Sequence, residues 1–123
     1  MFSHIMVGSN DVERSKKFYD ALLAELGAKR GFGGDTMQAY STGKGPMLGV
    51  CKPHDGNAAT VGNGTMVSLS APSREKVHEM HAKAMSLGAK DEGAPGPRGD
   101  NGFYGAYFRD PDGNKLCVFH MGA

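Results

Sequence analysis

Five histidines and two cysteines are the side chains in this sequence best suited to proton transfer, nucleophilic attack or soft-metal binding. Cys51 and Cys117 lie far apart inside apolar runs with no Cys-x-x-Cys spacing, so buried free thiols are expected rather than a disulfide or a zinc ribbon. Cys117 would act as a nucleophile only beside a cation that lowers its pKa; otherwise it reads as a small buried hydrophobe. His4 opens the apolar run His4-Ile5-Met6-Val7 and carries an imidazole able to accept or donate a proton near neutral pH. Its plainer reading is a polar group satisfied by a neighbour. His78 and His81 fall in a helical pattern, and His120 alternates with Cys117 along a strand-like run, so all three read as structural or surface groups. Arg98 and Arg109, with Lys44 and Lys52, offer a positive rim for a carboxylate or thioether-peptide ligand, against the ordinary reading of solvated charges at strand ends and loops.

The elements that must position these residues come from an internal repeat. Leu26-Gly27-Ala28-Lys29 recurs as Leu87-Gly88-Ala89-Lys90, an offset of 61, and each copy ends a helical pattern that follows a strand-like run. In the first half His4–Val7 is the strand, Asn10 and Glu13 form a capping pair, and Phe18, Tyr19, Leu22, Leu23 and Leu26 recur at helical spacing up to Gly27. In the second half Thr65–Leu69 is the strand, Ser73 the N-cap, and Val77, Met80, Ala84 and Leu87 the apolar stripe before Gly88. Strand-like pieces follow each helix: Thr36–Ser41 and Met47–Lys52, then Phe103–Arg109 and Lys115–His120, with Asp110-Pro111-Asp112-Gly113-Asn114 as a hairpin turn. Gly and Pro gather at 53–64, a connection between halves, and at 93–102, expected as a mobile loop. The fold class is therefore α+β: two βαβββ modules, about 1–53 and 64–123 with a linker at 54–63, combining into one curved mixed sheet with a concave cleft.

Composition narrows the function classes. At 123 residues and 39% hydrophobic content the chain suits one compact domain. Fourteen Lys and Arg against thirteen Asp and Glu, with no basic block, argue against nucleic acid or anionic lipid as partners. The opening residues lack a signal-peptide pattern and no apolar stretch would span a bilayer, so a cytoplasmic location is expected.

The duplicated βαβββ plan, the opening Phe2-Ser3-His4-Ile5-Met6-Val7, the stretch Asp11-Val12-Glu13-Arg14-Ser15-Lys16-Lys17-Phe18-Tyr19 and the ending Phe108-Arg109-Asp110-Pro111-Asp112-Gly113-Asn114 together resemble the vicinal oxygen chelate superfamily of glyoxalases, bleomycin-resistance proteins and extradiol dioxygenases. The resemblance covers nearly the whole chain. It implies a cleft in which four strands each supply one ligand to a divalent metal that binds two neighbouring substrate oxygens. The positions matching those ligands are His4, Gly49, Thr65 and Cys117, where His, Glu or Gln is usual in metal-using relatives. One imidazole, one thiol and one hydroxyl without a carboxylate do not make such a site, so no cofactor is expected, and a divalent metal is the lesser alternative, with His54 as a further donor.

If His4 and Cys117 point into the cleft, alternation places Met6, Met47, Gly49, Cys51, Thr65, Val67, Leu69 and Phe119 with them. Tyr104 and Phe108 share one parity on their strand and Tyr107 the other, and Met37 or Tyr40 adds to the rim. The expected binding set is His4, Met6, Met47, Cys51, Thr65, Val67, Tyr104, Phe108, Cys117 and Phe119, with His4 a weak catalytic candidate. Such a lining suits a flat or flexible apolar small molecule, though the same residues also make an ordinary core. Three functions remain open: a metal-free small-molecule binder of the bleomycin-resistance type, a glyoxalase-like lyase (lactoylglutathione lyase class) or ring-cleavage dioxygenase relative with an altered metal site, and an interaction module whose cleft has closed. The resemblance further implies a homodimer.

Overall fold

The computed structural model describes residues 1–123 in full. Its elements run β1 (His4–Gly8), α1 (Val12–Ala24), β2 (Lys29–Gly33), β3 (Met37–Ser41), β4 (Met47–Cys51), β5 (Val67–Ser70), α2 (Arg74–Ser86), β6 (Lys90–Pro97), β7 (Phe103–Arg109) and β8 (Lys115–Met121). The order is βαβββ twice, and the chain divides into two compact units, Met1–Val61 and Gly62–Ala123. Each unit has its own four-stranded mixed sheet, ordered β1-β4-β3-β2 in the first and β5-β8-β7-β6 in the second. The first strand of each unit lies parallel to its last strand, which requires a crossover, and the helix is part of that crossover.

The helix starts follow from local hydrogen bonding. Asp11, not Asn10, caps α1: its carboxylate accepts from the Arg14 N–H at 3.1 Å. Asn10 is taken elsewhere, because its side-chain amide accepts from the Ala59 N–H at 2.7 Å and donates to the Ala59 carbonyl at 3.3 Å. Ser73 caps α2 by accepting from the Lys76 N–H at 3.1 Å, as expected. Past each helix the chain reverses through Gly27 and Gly88, whose φ of 77° and 95° lie in the left-handed region that glycine adopts without strain.

Each helix covers one face of its own sheet. Phe18, Tyr19, Leu22 and Leu23 of α1 are buried, and Tyr40 on β3 reaches this layer, its hydroxyl donating to the Lys16 carbonyl at 3.2 Å. In the second unit Val77, Met80 and Ala84 of α2 and Ala106, Phe108, Leu116 and Val118 of the sheet are at most 1% exposed. Burying each of the larger side chains contributes about 1.5–3 kcal/mol. The Asp110–Asn114 turn is held by a buried carboxylate: Asp110 Oδ1 accepts from the Asp112 and Asn114 N–H groups, each at 2.9 Å, and Oδ2 from the Asn114 side chain at 3.0 Å.

Besides the α1 cap, two sequence expectations are corrected. Residues 93–97 are strand, the latter part of β6, rather than loop. The strand expected from Thr65 begins at Val67. Lys29-Arg30-Gly31-Phe32-Gly33 supplies β2, the first of the three strands that the βαβββ plan requires after α1, and it pairs with β3 across an irregularity between Arg30 and Gly33.

Candidate functional site

Cross-strand partners share a sheet face, so the register decides which side chains meet. In the first sheet His4 pairs with Met47, Met6 with Gly49, Gly8 with Cys51, and Met37 with Cys51. His4, Met6, Met37, Met47 and Cys51 therefore lie on the face opposite α1. Tyr40 does not join them. It pairs with Leu48 on the α1 side, where it is 3% exposed and donates to Asp20 Oδ1 at 2.7 Å. Burial and this carboxylate push the Tyr40 phenol well above its usual range, while Arg30, bidentate on Asp20 at 2.9 and 2.8 Å, holds the Asp20 carboxyl below its own.

The helix-free face of the first sheet is rich in sulfur. A Cβ built on Gly49 would meet Met6 Sδ, and Met6 Cε at 2.8 Å, so the Met6 thioether fills the room a side chain at 49 would take. Met47 Sδ stands 3.8 Å from a Cβ built on Gly31, which brings β2 to the same surface. The exposed His4 ring is edge-on to Phe32 at 6.0 Å, and His4 Nδ1 lies 3.0 Å from Ser3 Oγ. Where Met37 and Cys51 end the face, a hollow of about 360 Å³ opens, lined also by Thr36, Lys52, Pro53 and His54. Burial pushes the half-buried Cys51 thiol up. A more polar hollow of about 330 Å³ adjoins the start of α1 and shares Thr36, Lys52 and Pro53; it contains none of the ten residues expected to bind a ligand.

In the second sheet Cys117 pairs with Ser68 and Tyr107, Phe119 with Ser70 and Gly105, and Phe103 with Met121. Val67, Leu69, Tyr104 and Phe108 belong to the opposite, α2-covered face, in register with Leu116, Val118 and His120. Phe108 is fully buried against the His81 ring at 6.4 Å, and the Tyr104 hydroxyl meets His78 Nε2 at 2.6 Å with Arg74 over its ring at 4.6 Å. His120 also sits on this side, its Nδ1 2.9 Å from the Ala71 carbonyl, in the orientation expected from alternation. Thr65 precedes β5 in a turn closed by its N–H to the Gly62 carbonyl at 3.0 Å.

A one-residue slip in the repeat explains the places of Thr65 and Val67. The repeat offset is 61 in the Leu-Gly-Ala-Lys turns that follow the helices, Leu26 to Leu87, but 62 along the helices themselves, Val12 to Arg74 and Ala24 to Ser86. The strands follow the helix starts: Met6 beside Gly49 corresponds to Ser68 beside Cys117. Met66, 43% exposed, thus stands where His4 stands in the first unit, and Thr65 does not. Shifting by one residue exchanges the faces of Val67 and Ser68. The caps Asp11 and Ser73, also separated by 62, carry the signal that would have given this register.

Of the ten expected residues, His4, Met6, Met47 and Cys51 share the helix-free face of the first sheet, and Cys117 and Phe119 that of the second. Cys117 is fully buried there, hydrogen-bonded to the Ser68 and Tyr107 side chains. Burial pushes its thiol up, only partly opposed by those hydroxyls and by the charges of Arg98 and Lys115, which is the wrong direction for a nucleophile. Phe119 stacks on Phe103 with centroids 5.0 Å apart and planes 7° from parallel.

The residues do not fit the divalent metal of the family's chelating members. With the register corrected, the four ligand positions hold an imidazole (His4), no side chain (Gly49), a thioether (Met66) and a buried thiol with a raised pKa (Cys117). No three His, Cys, Asp or Glu side chains come together as a metal-holding group. Hard divalent ions need oxygen donors, and a catalytic zinc needs three protein ligands.

Residues 1–118 match the sequence profile of the Glyoxalase/Bleomycin resistance protein/Dioxygenase superfamily. The chain is similar to a glyoxalase/bleomycin resistance protein from Albidiferax ferrireducens T118, with 44% identity over 98% of both chains and a TM-score of 0.88. A glyoxalase-related enzyme from Fulvimarina pelagi shares the fold at 18% identity and a TM-score of 0.77, over 98% of this chain and 87% of that one. A lactoylglutathione lyase from Agrobacterium tumefaciens does so at 20% identity and 0.73, over 98% and 92%. The comparison with curated proteins returns no match. The repeated βαβββ units and the match along 118 residues agree, and the chain belongs to the glyoxalase/bleomycin resistance protein/dioxygenase superfamily.

Proposed function

We propose that this protein is a metal-independent small-molecule binder of its superfamily, holding an apolar ligand on the helix-free faces of its sheets. The observation that carries the reading is the first of these faces, where the side chains of Met6, Met37, Met47 and Cys51 share one sulfur-rich surface with the His4 and Phe32 rings, and a hollow of about 360 Å³ opens at its Met37–Cys51 end. That volume falls in the roughly 300–1,000 Å³ range of small-molecule pockets. Flexible thioethers mould to flat or irregular apolar ligands at little cost. A lyase or dioxygenase relative is the less favoured reading, because the ligand positions lack carboxylates and the thiol is raised rather than activated.

A homodimer and a cytoplasmic location are part of the proposal. β1 and β5 are edge strands of their sheets, with Phe2, Ile5 and Met66 exposed on or beside them, and a second copy would cover such edges. No helix is long and apolar enough to cross a membrane. The test is titration of protein labelled at its methionine methyls with 2-naphthalenemethanol, a neutral apolar probe, followed by NMR. The Met6, Met37 and Met47 methyl signals should shift together and saturate, while Met80, fully buried under α2, stays. A titration that moves none of the three sinks the reading.

A further inference from the structure

On the helix-free face of the second sheet, two cations flank one aromatic ring. The Arg98 guanidinium and the Lys115 ammonium each lie 5.4 Å from the Tyr107 ring centroid. Arg98, just past the end of β6, is held by that strand: Nη1 donates to the Gly96 and Pro97 carbonyls at 2.9 and 3.3 Å, and Nη2 to the Ala94 carbonyl at 2.7 Å. Those bonds use three of the five guanidinium N–H donors and supply no negative charge. Arg30, Arg109, Lys16 and Lys76 are paired with carboxylates, whereas neither Arg98 nor Lys115 has such a partner. Glu92, which feels the charge of Lys115, is engaged by Arg109 at 2.7 Å.

Strand β6 is shaped for this placement. A Cβ on Gly93 would meet Tyr107 Cδ2 at 3.0 Å and Arg98 Nη2 at 3.2 Å, and a Cβ on Gly96 would meet Nη1 at 3.2 Å. Along the same face, beyond Tyr107 and Gly105, lies the stacked Phe103–Phe119 pair. The strip is thus cationic at one end and aromatic at the other. A preorganised guanidinium without a counter-ion favours a charge-assisted bond to an oxyanion.

We propose that this strip binds the carboxylate of an apolar organic acid, Arg98 and Lys115 holding the anion beside Tyr107 and the Phe103–Phe119 pair receiving the apolar body. The inference rests on the small-molecule-binding reading and names its ligand class. It is tested by calorimetric titration of the full chain with 2-naphthoate, with 2-naphthalenemethanol and with inorganic phosphate, in wild type, Arg98→Gln and Lys115→Gln. 2-Naphthoate should bind wild type at least about tenfold tighter than the neutral alcohol, and each substitution should remove about tenfold or more of the naphthoate affinity while leaving the alcohol unchanged. Lys115→Gln keeps the test valid should Arg98→Gln disturb β6, because Lys115 makes no side-chain bond to the backbone. Naphthoate binding no tighter than the alcohol, or equal in all three proteins, overturns the acid-binding strip while the small-molecule reading stands. Phosphate binding as tightly as naphthoate overturns the assignment to an apolar acid. Binding of neither aromatic probe overturns both proposals.

Discussion

Replacing Gly49 with Ala puts a methyl group into the space that Met6 now fills, and its effect on stability can be worked from the geometry. Gly49 is not among the glycines with positive φ, so the backbone accepts Ala, and the lower chain entropy of the unfolded state favours it by about 0.4–1 kcal/mol. Against this, the new Cβ meets Met6 Sδ, and Met6 Cε at 2.8 Å, while the Gln38 carbonyl at 3.5 Å is in ordinary contact. Overpacking costs about 1–3 kcal/mol, and about 1.5 kcal/mol here because the obstacle is the far end of a flexible, half-buried side chain. The net change in wild type is a loss of about 1 kcal/mol. In a Met6→Ala background the obstacle is gone and the sign reverses, to a gain of about 0.5 kcal/mol. Urea denaturation of the four proteins reads this as opposite movements of the midpoint at constant slope, a coupling of about 1.5 kcal/mol. If Gly49→Ala has the same effect in both backgrounds, Met6 does not occupy the vacated ligand position.

Further outcomes follow from the same structure. A disulfide reagent at neutral pH should titrate the half-buried Cys51 first and reach the fully buried Cys117 only on unfolding; Cys51→Ser should abolish the first phase, and prompt reaction of both would contradict the burial. Tyr40→Phe removes the donor to Asp20 and Lys16 and should cost about 1–2 kcal/mol in denaturant unfolding, with no effect on apolar-probe binding because Tyr40 lies on the α1 side. Asp20 has its folded pKa held below the ordinary 3.8, chiefly by Arg30, so its contribution is complete well above that value. As the pH falls past 3.8 and through the folded pKa that contribution is lost, and Asp20→Asn should flatten the acid limb of the stability profile; an unchanged limb would remove Asp20 as a cause.

The parts of the fold that depend on local chemistry were legible in the residues. Ser73 is a cap because its hydroxyl reaches the Lys76 N–H, and Asp110 makes its turn because a short carboxylate satisfies its own loop. The parts that depend on counting were not. Leu26-Gly27 and Leu87-Gly88 align the turns after the helices, but the first turn is one residue longer than the second, and strand faces exchange with every single-residue slip. Counted by 61, Val67 falls in with Cys117 and Ser68 does not, whereas Ser68 is the partner of Cys117; the faces of Tyr104 and Phe108 depend instead on the pairing of Tyr107 with Cys117, which the residues of that strand alone do not carry. The glycines and prolines of β6 read as a loop, whereas Gly93 and Gly96 are where the backbone lets Arg98 lie against Tyr107. Asn10 read as a cap because its type is right, but its amide bonds to Ala59, forty-nine residues on, a contact that no local pattern contains.

The central claim is that the helix-free faces bind an apolar small molecule without a metal. Its most direct test is the methionine-methyl NMR titration with 2-naphthalenemethanol, run in a chelating buffer and repeated with Zn, Ni, Mn or Fe(II). The account predicts the same saturable shifts of Met6, Met37 and Met47 and the same affinity in every condition. Shifts that appear only with a metal, and vanish in His4→Ala, would contradict it.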